Sequence, residues 1–173
     1  ASDITRTFPI NGKFSGEQRA LYELVLASQY AAIEATHTDN HWNVPHETVV
    51  RILTEGLVDL GLLAGNPDDL IEEQAYQRFF MHRTGHWLGL DVHDVGDYRI
   101  GGEWRQLEPG MTLTVEPGLY IAPDDDTVEE RWRGIGIRIE DDVLVTKEGC
   151  DVLTRDVPKA IDDIEALMRE ARA

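Results

Sequence analysis

The chain has 173 residues, of which 42% are hydrophobic, and its 33 acidic and 16 basic residues give a formal net charge of −17. This length and apolar content predict a single domain with a hydrophobic core. The acidic balance, without a stripe of lysine or arginine, argues against nucleic acid as a partner. No apolar run approaches the roughly 20 residues that span a membrane, so we expect no membrane partner. The first residues, ASDITRTFP, lack the basic and apolar regions of a signal peptide, so we expect none.

The single cysteine, Cys150, rules out a disulfide bond within the chain. A lone thiol is typical of a reducing compartment, so we expect a cytoplasmic protein. Because Cys150 follows a predicted turn and has no histidine near it in the sequence, we expect an inert thiol rather than a nucleophile. The sequence leaves open whether the chain forms a homo-oligomer.

The first two predicted helices carry apolar residues at helical spacing. Ser15 and Gln18 match a capping box, so the first helix is predicted to begin at Ser15. The second helix is predicted to run from about residue 46 to 62 and to stop near Gly65. The apolar positions are Leu21, Leu24, Val25 and Ala32 in the first helix and Val49, Val50, Leu53, Leu57 and Leu60 in the second.

Two shorter helices complete the helical part of the chain. Asn66 and Pro67 match an N-cap and a first helical position, and this third helix is predicted to end at about Gln77. The last helix is predicted to begin near Pro158. Its apolar positions are Ile161, Ile164, Leu167 and Met168.

Residues 111–121 and 134–146 are rich in valine, isoleucine, threonine and leucine, which predicts strands. Side chains alternate between the two faces of a strand, so Glu116 and Glu140 fall on the polar faces. If the strands pair, both carboxylates face a common cleft. With the helices, they predict an α+β fold in which helices cover one side of a curved antiparallel sheet. The apolar faces carry Met111, Leu113 and Val115 in the first strand and Ile135, Ile137 and Ile139 in the second.

Half of the six histidines lie in one segment, FFMHRTGHWLGLDVHDVG, at His82, His86 and His93. Two glycines separate them, and glycine lets the backbone turn sharply or approach other groups closely. Histidine nitrogen together with carboxylate oxygen from separate segments is typical of a divalent metal site. The segment therefore predicts a metal site that it shares with the glutamates of the two strands.

The candidate ligands are His86, Glu116, Glu140 and Asp3, the last in a strand-like run. A carboxylate-dominated set favours Mn²⁺, Mg²⁺ or a related ion over a structural zinc. Glutamates that bridge two ions hold them about 3.5–4 Å apart, and such a pair lowers the pKa of a bridging water. The alternative is that the histidines bond backbone groups in a turn and that the glutamates are surface acids.

A second histidine group lies in THTDNHWNVPHET, at His37, His41 and His46. A helix would place His37 and His41 one turn apart, but Asn40 and Pro45 favour a loop. We expect a solvated loop, and a substrate-side role is the open alternative.

Four motifs in order resemble bacterial Xaa-Pro aminopeptidase, also called aminopeptidase P: DITRTFP, FFMHRTGHWLGLDVHDVG, LEPGMTLTVEPGLYIAP and RGIGIRIEDDVLVT. This family belongs to the pita-bread metallopeptidases, with prolidase and methionine aminopeptidase. The resemblance runs from about residue 1 to the end and implies the pita-bread, creatinase/aminopeptidase-like fold. It also implies a centre of two divalent metal ions, with Mn²⁺ as the expected metal.

Carried over position by position, the resemblance implies that Asp3 and Glu140 bridge the two ions and that His86 is a terminal ligand on one of them. Glu116 would be a ligand that also handles the proton of the attacking water, because a ligand already touches that water.

The resemblance also assigns groups that do not bind metal. His82 and His93 would hydrogen-bond the substrate and stabilise the tetrahedral intermediate. Arg138 and Tyr120 would form a network that holds a ligand carboxylate, because groups behind the ligands lock their orientation.

The family has a further aspartate ligand upstream of the position of Asp3, and this sequence does not contain it. We therefore expect residues 1–173 to be a partial catalytic domain, N-terminally truncated, without the N-terminal domain and the first part of the catalytic domain. Asp3 is then expected on an untethered terminus. Arg138 and Tyr120 are expected to lack their carboxylate partner, and metal binding is expected to be weak, with one ion held.

The complete enzyme implied by the resemblance releases the N-terminal residue from peptides with proline at the second position, by attack of metal hydroxide on the Xaa-Pro amide. The alternatives are a prolidase-type Xaa-Pro dipeptidase and a non-catalytic peptide-binding fragment of the same fold. Retention of His86, Glu116 and Glu140 favours an enzyme over the binding fragment and over a metal-free, creatinase-like hydrolase. The sequence does not predict whether this chain alone is active.

Overall fold

Two long helices form one layer of the fold in a computed structural model that describes residues 1–171. Helix α1 spans Gly16–Glu34, and the predicted capping box between Ser15 and Gln18 is confirmed. Helix α2 spans Val44–Asp59, so it begins and ends slightly before the predicted bounds. The two helices pack along each other.

Helix α3, Pro67–Glu72, is shorter than predicted. Asn66 caps it as expected, because its side-chain oxygen accepts a hydrogen bond from the backbone N–H of Asp68 at 2.8 Å. The prediction that this helix continues to Gln77 is wrong. Gln74 takes a left-handed conformation with φ of 57°, which ends the α-helix, and a short 3₁₀ turn follows.

Helix α4, Ile161–Glu170, begins slightly after the predicted start at Pro158. Ile161 and Ile164 are buried as predicted, whereas Leu167 is 54% exposed. The apolar face of α4 that packs on the core is therefore narrower than the sequence indicates. None of the helices in the described part of the chain is both long and apolar enough to cross a membrane.

The second layer, within residues 1–171, consists of seven short strands: β1 (Arg99–Ile100), β2 (Glu103–Trp104), β3 (Thr112–Val115), β4 (Gly118–Tyr120), β5 (Gly136–Arg138), β6 (Asp141–Val145) and β7 (Cys150–Val152). Strand β6 lies between β3 and β7, β4 pairs with β5, and β1 pairs with β2. Every one of these pairs is antiparallel, which confirms the predicted type of sheet.

The two predicted strands are each divided in two, but their pairing keeps one register across the break. In the register that β3–β6 and β4–β5 share, Glu116 lies opposite Glu140 and Pro117 lies opposite Ile139. Pro117 has no N–H to donate, which interrupts the ladder, and its carbonyl accepts from the Ile139 N–H at 3.3 Å. Opposite positions on paired strands have Cβ atoms about 4.5–5.5 Å apart. The pairing therefore brings both predicted glutamates to one place.

Both faces of the paired strands are buried, which simple alternation does not predict. The apolar face packs against the helices, and the face that carries Thr114 and Glu140 is also closed, each residue being only 1% exposed. The polar face is therefore a buried cleft rather than a solvated surface. The core includes Leu21, Tyr22, Val25, Val49, Leu53, Leu57, Phe79, Phe80, Leu113, Leu119, Ile137, Ile139 and Val143.

The segment that carries Asp3 is tied to the sheet. Thr5 forms an antiparallel bridge with Glu140, whose N–H donates to the Thr5 carbonyl at 3.1 Å. The Asp3 N–H donates to both carboxylate oxygens of Asp142 at 3.2 Å. The expectation that Asp3 sits on an untethered terminus is therefore wrong.

Asp141 is fully buried and accepts hydrogen bonds from four side chains. Lys159 and Gln29 donate to one carboxylate oxygen at 2.6 and 2.8 Å, and Thr154 and Arg6 donate to the other at 2.6 and 2.7 Å. Burial alone would raise the pKa of Asp141, but hydrogen bonds from Lys159, Thr154 and Arg6 hold that pKa below its ordinary value. This cluster joins the first residues of the chain, α1 and the stretch before α4 to β6.

We predict that Asp141→Asn destabilises the protein by about 3 kcal/mol, because it leaves two buried cations without a charged partner. Urea unfolding followed by circular dichroism measures this loss. The control is Asp68→Asn, which removes an ion pair between Asp68 and Arg51 whose carboxylate side chain is 74% exposed. Exposed pairs contribute less than about 1 kcal/mol, so equal losses in the two variants would contradict the prediction.

Candidate metal centre

The histidine segment runs beside β3 and positions His86 next to Glu116. The Thr114 N–H donates to the His86 carbonyl at 3.0 Å, and the Glu116 N–H donates to the Thr84 carbonyl at 2.7 Å. Glu116 directly follows β3, and Glu140 directly precedes β6. Backbone hydrogen bonds thus fix the positions of all three side chains relative to one another.

Gly85 permits this close approach of two backbones. A Cβ atom at this position would collide with the carbonyl oxygen of Thr114. A larger residue would therefore push the segment that carries His86 away from β3.

The imidazole of His86 lies between two carboxylates. Its Nε2 atom is 3.5 Å from an oxygen of Asp3 and 3.5 Å from an oxygen of Glu116. Ligand atoms of His86, Glu116 and Glu140 lie within 4.8 Å of one another, and those of Asp3, His86 and His93 form a second set of the same spacing. The structure therefore brings together all four predicted ligands.

The tautomer of His86 suits a metal ligand. Its Nδ1 atom is 3.0 Å from the carbonyl oxygen of Trp87, which can only accept, so Nδ1 carries the proton. In the neutral form of this tautomer Nε2 presents a lone pair, and this buried atom has no hydrogen-bond partner among residues 1–171. A buried acceptor that faces carboxylate oxygens is unfavourable unless a positive group fills the space between them. A divalent cation with nitrogen and oxygen ligands fits this arrangement.

Negative charge is concentrated around Glu140. Burial raises the pKa of Glu140 to about 7, and the charges of Glu116 and Asp3 add to that effect, whereas a hydrogen bond from the Thr5 hydroxyl opposes it. A cation held between these carboxylates would offset their mutual repulsion.

Arg138, Tyr120 and His82 form a hydrogen-bonded chain beside Glu116. Arg138 Nε donates to the Tyr120 hydroxyl oxygen at 2.8 Å, and that oxygen is 2.8 Å from His82 Nε2. His82 Nδ1 lies 2.7 Å from the Arg83 carbonyl oxygen, so Nδ1 donates and Nε2 accepts from Tyr120. Arg138 Nη1 is also 3.7 Å from the Glu116 carboxylate. Arg138 thus has a carboxylate neighbour in Glu116, whereas the hydrogen bonds of the Tyr120 hydroxyl found in the described residues go to Arg138 and His82.

Burial determines the charge states of His82 and Tyr120. It lowers the pKa of His82 and raises the pKa of Tyr120, with the hydrogen bond from Arg138 acting against the rise. At neutral pH both groups are uncharged, so Arg138 is the cation that faces Glu116.

A groove of about 850 Å³ opens beside the cluster of acids and histidines. Trp104 lines this groove. The guanidinium groups of Arg83 and Arg99 lie over its ring, at 5.3 and 3.8 Å from the ring centre. His93 is exposed in the groove, and its ring centre is 4.3 Å from that of His86. The groove is large enough for a short peptide. The other lining residues include Trp42, His82, Tyr98, Glu116 and Arg138.

The second histidine group divides into two parts. His37 and His41 lie in the predicted loop, although both are half-buried. His46 belongs to α2, in agreement with the predicted start of the second helix at about residue 46, and its Nδ1 is 2.8 Å from the Thr84 hydroxyl. Pro45 is the second residue of α2, and the first helical turn tolerates it because that turn needs no N–H from proline. His46 thereby contacts the segment between His82 and His86, a contact that the sequence pattern did not indicate.

Two contacts to the predicted ligands come from residues that sequence reasoning did not single out. The Thr5 hydroxyl bonds the Glu140 carboxylate, and the Asp142 carboxylate accepts the Asp3 N–H. Both residues are two positions from a predicted ligand, which is the strand spacing for side chains on one face. That spacing was the only available signal.

Residues 1–147 match the model of metallopeptidase family M24. The chain therefore belongs to this family of metallopeptidases, and membership implies divalent metal ions. The helices with paired antiparallel strands are the pita-bread α+β fold of the solved structures that it matches.

Within this family the chain is similar to Xaa-Pro aminopeptidases. It is 58% identical to Xaa-Pro aminopeptidase of Haemophilus influenzae over 97% of this chain and 39% of that protein. The Pseudomonas aeruginosa aminopeptidase PepP structure matches at 64% identity and a TM-score of 0.98, over 99% of this chain and 39% of that one.

Two further matches bear on metal and substrate. A zinc-substituted Escherichia coli aminopeptidase P in complex with product is 53% identical, with a TM-score of 0.95, over all of this chain and 39% of that one. Human Xaa-Pro dipeptidase is 40% identical over 97% of this chain and 40% of that protein. The chain thus spans about two fifths of the length of the relatives that it matches.

We predict that His86→Ala weakens Mn²⁺ binding by more than about tenfold, because it removes the unpartnered Nε2 from the cluster. Isothermal titration calorimetry of the metal-free chain measures the affinity. His37→Ala, which changes a histidine of the loop before α2, serves as the control and should bind Mn²⁺ as the unsubstituted chain does. Unchanged affinity in His86→Ala would exclude this imidazole as a ligand.

Burial lowers the pKa of His46 from 6.5 to about 3, so the proton binds the unfolded chain more tightly than the folded one. Stability from neutral His46 is complete well above pH 6.5 and is lost as the pH falls toward 3. Between pH 7 and pH 5 this loss amounts to about 2 kcal/mol. With metal removed by a chelator, the free energy of unfolding of the unsubstituted chain should therefore fall between pH 7 and pH 5. That of His46→Gln should fall by about 2 kcal/mol less. The control is His37→Gln. The prediction would be contradicted if His46→Gln and this control lost the same free energy of unfolding between pH 7 and pH 5.

Proposed function

We propose that this chain supplies catalytic residues of a metal-dependent aminopeptidase that releases the N-terminal residue from peptides with proline at the second position. The observation that carries the proposal is the unpartnered Nε2 of His86, which faces carboxylate oxygens of Asp3 and Glu116 at 3.5 Å beside a groove large enough for a peptide. Family membership and identities of 58% and 64% to proteins named as aminopeptidases support this choice of reaction.

In this proposal Asp3, His86, Glu116 and Glu140 are the ligands that this chain contributes to a centre of two divalent ions, with Mn²⁺ as the preferred metal and one further ligand that is not among residues 1–173. The carboxylate-rich set supports Mn²⁺ over zinc, because oxygen ligands favour harder cations. When bound, such ions polarise the substrate carbonyl and lower the pKa of water. Burial of Glu140 and of Glu116, which are 1% and 9% exposed, keeps bulk water from weakening those electrostatic effects.

Glu116 is the residue proposed to move the proton. Its carboxylate takes a proton from the attacking water and passes it to the prolyl nitrogen as the amide bond breaks. Arg138 Nη1 lies 3.7 Å from the other oxygen of Glu116, so a cation stands beside the proposed base. His82 lies beside Arg138 and His93 beside His86, and both line the groove. We propose that they hydrogen-bond the substrate carbonyl and the developing oxyanion.

The second candidate is a prolidase-type Xaa-Pro dipeptidase. The 40% identity to the human dipeptidase supports this candidate. The higher identities of 58% and 64% to proteins named as aminopeptidases favour the aminopeptidase. A cytoplasmic location remains part of the proposal, supported by the single half-buried thiol of Cys150.

We predict that the protein to which this chain belongs releases the first residue of an Xaa-Pro-Xaa tripeptide when Mn²⁺ is present and that a chelator abolishes this release. Glu116→Gln should lower kcat by about 10²–10⁴-fold, because the amide cannot take the proton. Amino-acid release is measured by chromatography. Arg51→Gln, an exposed change on α2, is the control and should keep full activity.

Three other outcomes of the same assay would each contradict the proposal. Faster cleavage of an Xaa-Pro dipeptide than of the tripeptide would indicate a dipeptidase. Tripeptide binding without metal-dependent release would indicate a peptide-binding module. Full activity in chelator would indicate a hydrolase that needs no metal.

A further inference from the structure

The two faces of the β6 edge carry different chemistry. Side chains alternate along a strand, so Glu140 faces the metal centre and Asp141 points to the opposite side. The first residues of the chain alternate in the same way, because Thr5 bonds Glu140 on the metal side and Arg6 bonds Asp141 on the other. We call the second side, defined by Arg6, Asp141 and Lys159, the back of the sheet.

Arg6 is held on the back of the sheet by an unusual number of contacts. Its side chain is 11% exposed and makes an ion pair with Asp141 at 2.7 Å. It also donates to the carbonyl oxygens of Thr5 at 3.0 Å and of Glu140 at 2.6 Å. Two further donations reach the carbonyl oxygens of Val157 at 2.9 Å and Pro158 at 3.0 Å. One guanidinium group therefore bonds the backbone of both segments that carry the carboxylates of Asp3 and Glu140.

We propose that Arg6 is a positioning residue for the metal centre, acting from the back of the sheet. By bonding Thr5 and Glu140 through their carbonyl groups, it fixes the register of the first residues against the start of β6. That register sets where the Asp3 and Glu140 carboxylates lie relative to His86. The proposal rests on the metal centre of the proposed function, because Asp3 and Glu140 are its ligands there.

Lys159 provides a matched comparison within the same cluster. It also pairs with Asp141, at 2.6 Å, and its side chain is 13% exposed, close to the 11% of Arg6. Its hydrogen bonds go to Asp141 and Gln29, and none to Thr5 or Glu140 is found in the described part of the chain. Loss of Lys159 should therefore weaken the buried cluster without changing the register of the ligand strands.

The test compares Arg6→Met with Lys159→Met, each of which removes one buried cation from Asp141. Isothermal titration with Mn²⁺ and the visible absorption of the Co²⁺-loaded chain report on the ligand geometry. Hydrogen exchange of the Glu140 amide in the metal-free chain reports on the register without any metal, because this amide donates to Thr5. All measurements are made well below the unfolding temperature of each variant. Arg6→Lys, which keeps the charge but not the fork of donors, replaces Arg6→Met if that variant does not fold.

Arg6→Met should weaken Mn²⁺ affinity by about tenfold or more, change the Co²⁺ spectrum and speed exchange of the Glu140 amide, as loss of an outer partner of a metal ligand does. Lys159→Met should leave all three within about twofold of the unsubstituted chain, even if both variants lose equal stability. Equal effects of the two substitutions, or none from Arg6→Met, would overturn the positioning role. If the unsubstituted chain bound no Mn²⁺, the proposed metal centre would fail, and the exchange of the metal-free variants would still decide the role of Arg6.

Discussion

The shared antiparallel register of β3–β6 and β4–β5 is the constraint on which the candidate metal centre depends. It places Glu116 opposite Glu140 across the break at Pro117. A slip of one residue would turn each strand over and carry its glutamate to the opposite face. Burial of apolar side chains such as Leu113 and Ile137 on the other face prevents that slip, so the hydrophobic core also fixes the position of the acids.

Burying several acids is unfavourable unless positive groups compensate for their negative charge. The two faces of the sheet differ in how that charge is compensated. On the back of the sheet, Arg6 and Lys159 neutralise Asp141 directly. On the metal side, Arg138 approaches Glu116, but no lysine or arginine side chain forms an ion pair with Glu140 in residues 1–171. Burial and the neighbouring carboxylates raise the pKa of Glu140, and the buried Nε2 atom of His86 has no hydrogen-bond partner in the described residues. Both features indicate that the site lacks a positive charge. A divalent cation would supply that charge.

Local patterns in the sequence predicted those parts of the fold that depend on neighbours along the chain. The Ser15 capping box and the Asn66 cap are confirmed because both involve hydrogen bonds within three residues. The α3 prediction failed at Gln74, where a non-glycine residue adopts a left-handed conformation that no local preference indicates.

The sequence by itself determined the residue types of the candidate site, since Asp3, His86, Glu116 and Glu140 were all identified from spacing and from resemblance to a family. It also predicted strands near residues 111–121 and 134–146, because a period of two is a local property of a strand. Only the tertiary structure decided that Asp3 is tied to Asp142, that Arg138 meets Glu116, and that the back of the sheet carries a buried ion cluster. Each of these contacts joins residues far apart in the chain, and their distance is set by strand pairing and core packing rather than by sequence separation.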